Sequence, residues 1–402
     1  MKRLVRIVWC LLVCTILCQT LLTSILVLGW VYRWVRHRVG QRLFRLSPMA
    51  EQTSWQAFAG GIPAITPMRD APNLFRQQSG IVSPGHPVLK RLHGWLHTGW
   101  LNFRVGTAGI LATWSLTLFP CVLWMIAWYT GWHISFTKLY EESATGFSLG
   151  FSGLLILTVM MLYAPSAQAR HAFTGDWRSF FDWRFIRALL CRRPLQLFLL
   201  AIGYVIGNVA LTTFKASPTF FLTMNPALET LSAIAALEYL DQYFFYTGGI
   251  AFLLFLGLRT WAGRIYSDGL MEMWSLSALK PNDFHLQEIQ LLESLEVPYG
   301  CRYEKPGLVR KILGIPLTVS YRGAMLTLTI CVWGVFNFIP FVSEFANYYP
   351  VKGFLNQPLV QLPCFRYVPT ALEARAAAEK IQKGQEKSYK GRFGARSGHK
   401  TG

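Results

Sequence analysis

Apolar residues recur along this chain in long unbroken runs, not at the short periods that mark half-buried helices and strands of soluble domains. A helix needs about 20 apolar residues to cross the hydrocarbon core of a bilayer. Six uncharged segments reach or approach that length: 7–30, 105–132, 143–169, 195–214, 242–258 and 323–343. The first is too long for the apolar part of a signal peptide. VYRWVRHR follows it where small cleavage-site residues would stand, so it reads as an uncleaved anchor.

The polar stretches between the runs set the organisation. Residues 1–34 form the anchor and 35–104 a cytoplasmic linker. Residues 105–261 hold spans two to five, 262–322 a cytoplasmic element, 323–349 the sixth span, and 350–402 a short apolar piece with a tail. Residues 46–92 are rich in Gly, Pro, Ser and Gln and predict irregular backbone. HGWLHTGWLNFR at 93–104 sets Trp95 and Trp100 just before the second span, as an aromatic belt would. Pro281, Asn282 and Asp283 predict a helix start ahead of FHLQEIQLLESL, and Pro298, Tyr299 and Gly300 predict its end. Leu317, Val319 and Tyr321 then alternate with Thr318, Ser320 and Arg322, a strand pattern. The apolar piece 353–365 is too short to cross and is interrupted by Pro358 and Pro363, which suits an interfacial or re-entrant segment. The last 30 or so residues open as a weak helix and end polar and basic, a composition that favours disorder. The expected fold class is an all-α integral membrane protein. It has about six transmembrane helices, an interfacial amphipathic helix and a small cytoplasmic α/β element.

Composition agrees with the membrane reading. The chain is 52% hydrophobic and 15% charged, well below the charged share of a soluble domain. Its net charge of +19 would suggest nucleic acid in a soluble protein. Here the distribution matters more. Segment 33–104 holds ten Lys/Arg against two acids, 133–142 one against two, 170–194 six against two, and 215–241 one against three. That alternation places 33–104, 170–194 and 259–322 in the cytoplasm. Six spans then put the carboxyl tail outside, although 350–402 carries ten Lys/Arg and three Glu.

The stretch APSAQARHAFTGDWRSFFDWRFIRALLCRRP at 164–194 concentrates aromatics and arginine. Asp176 can cap a helix from Trp177 to about Arg192, with Trp177, Phe180, Phe181, Phe185 and Leu189 on one side. Such a helix lies in the headgroup layer and favours anionic lipid. Gln168, Arg170, Arg178, Asp182, Arg184 and Arg187 are its candidate lipid or partner contacts. Two G-x-x-x-G pairs, Gly146 with Gly150 and Gly203 with Gly207, predict close packing of the third span on the fourth.

Catalytic patterns are weak. Gly146, Ser148 and Gly150 match a nucleophile elbow but open an apolar helix. Gly150, Ser152 and Gly153 look like the G-x-S-G of rhomboid-type intramembrane proteases, whose serine requires a histidine on another span. No histidine falls inside the spans as drawn. His93 and His97 share a helix face without a third metal ligand nearby. Cys10, Cys14 and Cys18 share a face of an apolar helix and read as packing residues. The expectation is therefore no catalysis, no metal and no cofactor. Polar groups within or at the edge of spans are limited to Asn208, Asn337 and Glu344, which a transport cavity would gather.

Pro165, Ala167, Gln168, Ala169, Arg170 and Ala172, followed by Phe180, Phe181, Asp182, Arg184 and Arg187, resemble a domain-of-unknown-function family of bacterial multi-pass membrane proteins. NQPLVQLP at 356–363 is a second match. The resemblance is good over about 50 residues and implies a bacterial cytoplasmic membrane. It carries no activity and no catalytic residues. The expected function is a non-catalytic membrane scaffold or accessory subunit. Its basic cytoplasmic face would hold anionic lipid or a membrane-protein partner, with no role for nucleic acid. A transporter or lipid-handling channel is the alternative.

Overall fold

The computed structural model describes residues 2–62, 68–74, 87–133, 143–224, 231–301, 315–347 and 350–397. Described elements are all helical, and five helices contain stretches long and apolar enough to cross a membrane: Leu92–Thr130, Thr145–Thr174, Pro194–Pro218, Ala233–Ser275 and Pro316–Glu344. They lie in α5 (Pro87–Ala127, extended by a π turn Trp128–His133), α6 (Ser143–Thr174), α9 (Pro194–Met224), α10 (Ala233–Ser275) and α12 (Ile315–Asn347). Exposed apolar residues mark their lipid faces. Phe147, Phe151, Leu155 and Val159 form one stripe on α6 at four-residue spacing.

The first expected span is divided. α1 (Lys2–Leu17) stops, and α2 (Leu21–Leu46) begins at Thr20, whose hydroxyl accepts from Thr23 N. Polar Gln19 and Thr20 supply a helix start inside an apolar run, and that local preference interrupts the span. α2 then crosses α5 closely. A Cβ on Gly29 would lie 1.8 Å from Asn102 O, and one on Gly106 would lie 2.0 Å from Ile25 O. Only glycine lets the two backbones meet there.

Several helices outrun the bilayer. α10 has 43 residues, about 65 Å, so its carboxyl half leaves the hydrocarbon core. That half joins the end of α2, the end of α6, α7 (Trp177–Phe180), α8 (Trp183–Arg192) and α11 (Leu286–Ser294) in a layer at one end of the bundle. Residues expected as an irregular linker are stitched onto α2 where they are described. α3 (Met49–Gln52) and α4 (Trp55–Gly61) follow α2. Trp30 donates to Pro72 O at 2.9 Å, Trp55 to Arg69 O at 3.0 Å, and His37 Nδ1 lies 2.6 Å from Met68 O. Residues 63–67 and 75–86 of that region fall outside the described residues.

The expected cytoplasmic α/β element is different. Residues 262–275 continue α10, and Pro281–Asp283 is a 3-10 turn. The helix proper starts at His285 through a capping box with Glu288. Leu317, Val319 and Tyr321 lie exposed on the first turns of α12, not on a strand. On a helix bathed in lipid, apolar residues need no period, so the alternation there carried no strand information.

The segment after α12 enters the protein. α13 (Pro350–Leu355) leads into an irregular strap, 356–369, with a turn at 357–361, in which Asn356, Gln357, Leu359, Val360, Gln361, Leu362, Cys364 and Phe365 are all buried. Irregular backbone at membrane depth is tolerated where protein satisfies it. Asn356 does much of this locally, donating to Leu362 O and accepting from Leu362 N. The strap leaves at Arg366, which pairs with Asp241 near the start of α10. α14 (Thr370–Ser397) then runs past that same end, with Glu379 accepting from Ile234 N at 3.0 Å. The tail, whose composition suggests a weak helix giving way to disorder, is helical to Ser397. Alanine-rich EARAAAEK favours that state. α14 lies at the end of the bundle opposite α7 and α8, as an odd number of crossings between them requires.

Candidate functional site

The linker from α6 to α9 is two short helices, not one. Asp176 caps α7 by accepting from Arg178 N, and Asp182 caps α8 by accepting from Phe185 N. The break at Phe181 and Asp182 turns Asp182 inward onto Arg170.

Arg170 sits on the last turns of α6 and is sealed inside, its side chain 2% exposed against 0% for Glu288. Its Nε donates to Glu288 Oε1 at 2.8 Å and Nη2 to Glu288 Oε2 at 3.1 Å, a two-pronged pair. Nη1 donates to Asp182 Oδ2 at 2.6 Å, Nη2 reaches Asp283 O at 3.3 Å, and the guanidinium lies 3.8 Å from the Phe185 ring centre. Tyr266 of α10 donates to Glu288 Oε1 at 2.5 Å. Glu288 also accepts from His285 N, closing the capping box of α11. One cation thus holds two carboxylates, each at a helix amino terminus where backbone N–H groups favour negative charge. Every nitrogen of the guanidinium is engaged, through four of its five N–H groups, so this cluster is a clamp on α6, α8, α10 and α11.

The outer side of the same linker is open. Trp177 and Trp183 are 59% and 51% exposed, and Arg178, Arg184 and Arg187 stand exposed beside them. Trp183 stacks on Tyr163 at 4.0 Å between ring centres, and Arg178 lies 5.8 Å from the Trp177 ring. Phe180, Phe185, Ile186 and Leu189 are buried behind this face. The amphipathic helix expected to bury its apolar side in lipid instead buries it in protein, against Tyr266 and Phe284. Of the six candidate contacts, Gln168 and Arg170 are internal and Asp182 belongs to the clamp. Arg178, Arg184 and Arg187 are all exposed on α7 and α8, Arg184 lying 4.0 Å from Asp283.

The four glycines do not join α6 to α9. Gly146 and Gly150 are buried on α6, and Gly150 faces Phe341 of α12. Gly203 and Gly207 face Trp261 and Leu258 of α10, and Gly207 also meets Leu359 of the strap. α12 and α10 come between the two helices that were expected to touch.

Inside the spans the structure gathers more charge than the apolar runs suggested. Lys215 near the end of α9 and Glu344 near the end of α12 form a buried ion pair, with the Lys215 Nζ 4.2 Å from the Tyr367 ring centre. Arg259 of α10 is buried in the bundle. Asn208 donates to Phe336 O at 2.8 Å and Asn337 to Thr158 Oγ1 at 3.2 Å, so both tie helices together. Residues 215 and 259 stood just beyond the uncharged runs, where the helices continue without a break in the fold.

Other chemistry does not assemble. Ser152 is exposed on α6, and His171 of the same helix lies about 28 Å along the axis, bonded to Asp176 O. No group of three metal-ligating side chains forms among the described residues. A cleft of about 490 Å³ is lined by Trp274, Glu293, Glu296 and Tyr299, but Trp274 already donates to Val297 O and Tyr299 to Leu279 O. Comparison with known protein families, with curated proteins and with solved structures found no match to this chain. The apolar helices identify it as a multi-pass membrane protein.

Proposed function

We propose that this chain is a non-catalytic scaffold or accessory subunit of a bacterial cytoplasmic membrane, and that the α7–α8 face holds anionic lipid headgroups or an acidic surface of a membrane-protein partner. The observation that carries the reading is the exposed set Trp177, Arg178, Trp183, Arg184 and Arg187, mounted on a rigid base. Tryptophan favours the headgroup layer, and each basic residue near an anionic surface adds about 1 kcal/mol of attraction. The Arg170 clamp keeps the face in one arrangement, so little ordering is needed on binding. The resemblance of 164–194 to bacterial multi-pass membrane proteins supports the location.

The test is purification in mild detergent, with bound lipid and co-purified protein identified by mass spectrometry, for the wild type and for Arg178→Gln/Arg184→Gln/Arg187→Gln. The wild type is expected to retain anionic lipid selectively or to bring a partner, and the variant to lose it. Equal lipid content and no partner in both preparations would sink the reading.

A second reading, a transporter or lipid-handling channel, draws on the charges inside the spans and the buried strap. Ionisable groups are costly at membrane depth and mark pathways more often than not. Broken helices at that depth are the usual architecture of substrate sites in transporters. Flux of a labelled ion or lipid across proteoliposomes would favour it over the scaffold.

A further inference from the structure

We propose that the helical bundle of this protein contains an anion-binding site centred on Arg259 of α10, where Val360 of the strap 356–369 meets it. Arg259 is 3% exposed. Its Nη2 donates to Val360 O at 2.5 Å, and its guanidinium lies 4.8 Å from the Phe255 ring centre. Nε and Nη1 are buried without any hydrogen-bond partner. No carboxylate of the described residues pairs with it. A guanidinium stays protonated in proteins, and an uncompensated buried charge is among the costliest features a fold can carry.

The contrast with Lys215 sharpens the point. Lys215 is also buried, but Glu344 neutralises it. Arg170 is buried and has two carboxylates. Arg259 alone of these three has only a neutral carbonyl and an aromatic face.

The neighbours also carry buried polar atoms without partners. Gln168 donates to the same Val360 O at 3.0 Å and to Thr113 Oγ1 at 2.9 Å, while its Oε1 is buried without a partner. Tyr204 lies within electrostatic reach of Arg259, and its hydroxyl is buried and unbonded. In the neighbourhood of Arg259, then, three orphaned donor groups (Nε, Nη1 and the Tyr204 hydroxyl) outnumber the one orphaned acceptor, Gln168 Oε1, beside a net positive charge. Donor excess with positive charge selects an anion over a cation. Burial limits its size and excludes a lipid phosphate, which would need an open face. The ligand class is a small monovalent anion, a halide or a short carboxylate. Thr117, one turn from Thr113 on α5, accepts from Gln361, the residue after Val360.

The test is thermal unfolding of the full chain in detergent, followed by tryptophan fluorescence, as sodium gluconate is replaced by chloride, formate or acetate at constant ionic strength. A ligand that binds only the folded state raises Tm with its concentration. The wild type is expected to show that rise. Arg259→Gln should abolish it, and Tyr204→Phe should move half-saturation about tenfold higher by removing a hydrogen bond to a charge. The surface variant Arg178→Gln/Arg184→Gln/Arg187→Gln should keep it. A wild-type Tm that is the same in every salt overturns the proposal, since water alone would then satisfy the donors. So does a rise that persists in Arg259→Gln or vanishes in the surface variant. Where Arg259→Gln does not fold, unchanged half-saturation in Tyr204→Phe overturns it equally.

Discussion

Arg170 and His37 show how single residues can be indispensable without touching a ligand. Removing one partner of a buried charge pair leaves the other stranded, at a cost of about 3–5 kcal/mol. Arg170→Gln should therefore lower Tm sharply, because the buried Glu288 carboxyl would be left without its cation. Arg170→Met combined with Glu288→Leu should recover much of the loss, which thermal melts of the two preparations would check. His37 carries a milder, pH-dependent contribution. Burial pushes its pKa down, against the smaller opposing effect of its bond to Met68 O. The unfolded chain then binds a proton more readily, so stability is fully present above the ordinary histidine pKa of about 6.5 and falls as pH drops below it. Melts at pH 7.5 and 5.5 should differ less in His37→Gln than in the wild type.

Helices meet where side chains vanish. Gly106→Val is expected to separate α5 from α2, since even a methyl group would overlap the Ile25 carbonyl. Gly99→Ala on the same helix, where nothing lies within 4 Å, serves as a neutral control. Size-exclusion profiles of the two variants give the comparison. Gly353→Ala at α13 should also destabilise, less than Gly106→Val, because its Cβ would displace the flexible Glu344 carboxylate from its pair with Lys215 and not meet backbone. Gly203→Leu should also destabilise, but by displacing Trp261 of α10 and not by parting α6 from α9. The small-residue motifs were legible in the chain. Their partners were not, because a glycine announces that something comes close without saying what.

At the scale of the whole molecule, the Arg170 clamp holds one end of the bundle and the strap's exit is held at the other. The strap is anchored at its exit by Arg366, which reaches Asp241 at 2.8 Å and Glu373 at 3.2 Å. These groups are partly exposed, so screening limits each pair to a small contribution. Arg366→Ala should leave Tm nearly unchanged while raising the rate at which protease cuts between the strap and α14. Equal digestion rates would argue that burial of Phe365 and Tyr367 alone retains the strap.

Membrane residence, helical class and most spans follow from the sequence by itself, because about 20 uncharged apolar residues have few alternatives to a helix in lipid. The linker at 164–194 was legible too, as a concentration of arginine and aromatics. Which arginines face outward was decided only by tertiary structure. Arg170 and Arg184 are alike in sequence terms, yet one is clamped by Glu288, a residue 118 positions away, and the other stands 86% exposed. The same holds for Arg259, Lys215 and the strap. Their meaning depends on contacts across the chain, and hydropathy, a local property, contains no information about which distant group will neutralise a buried charge.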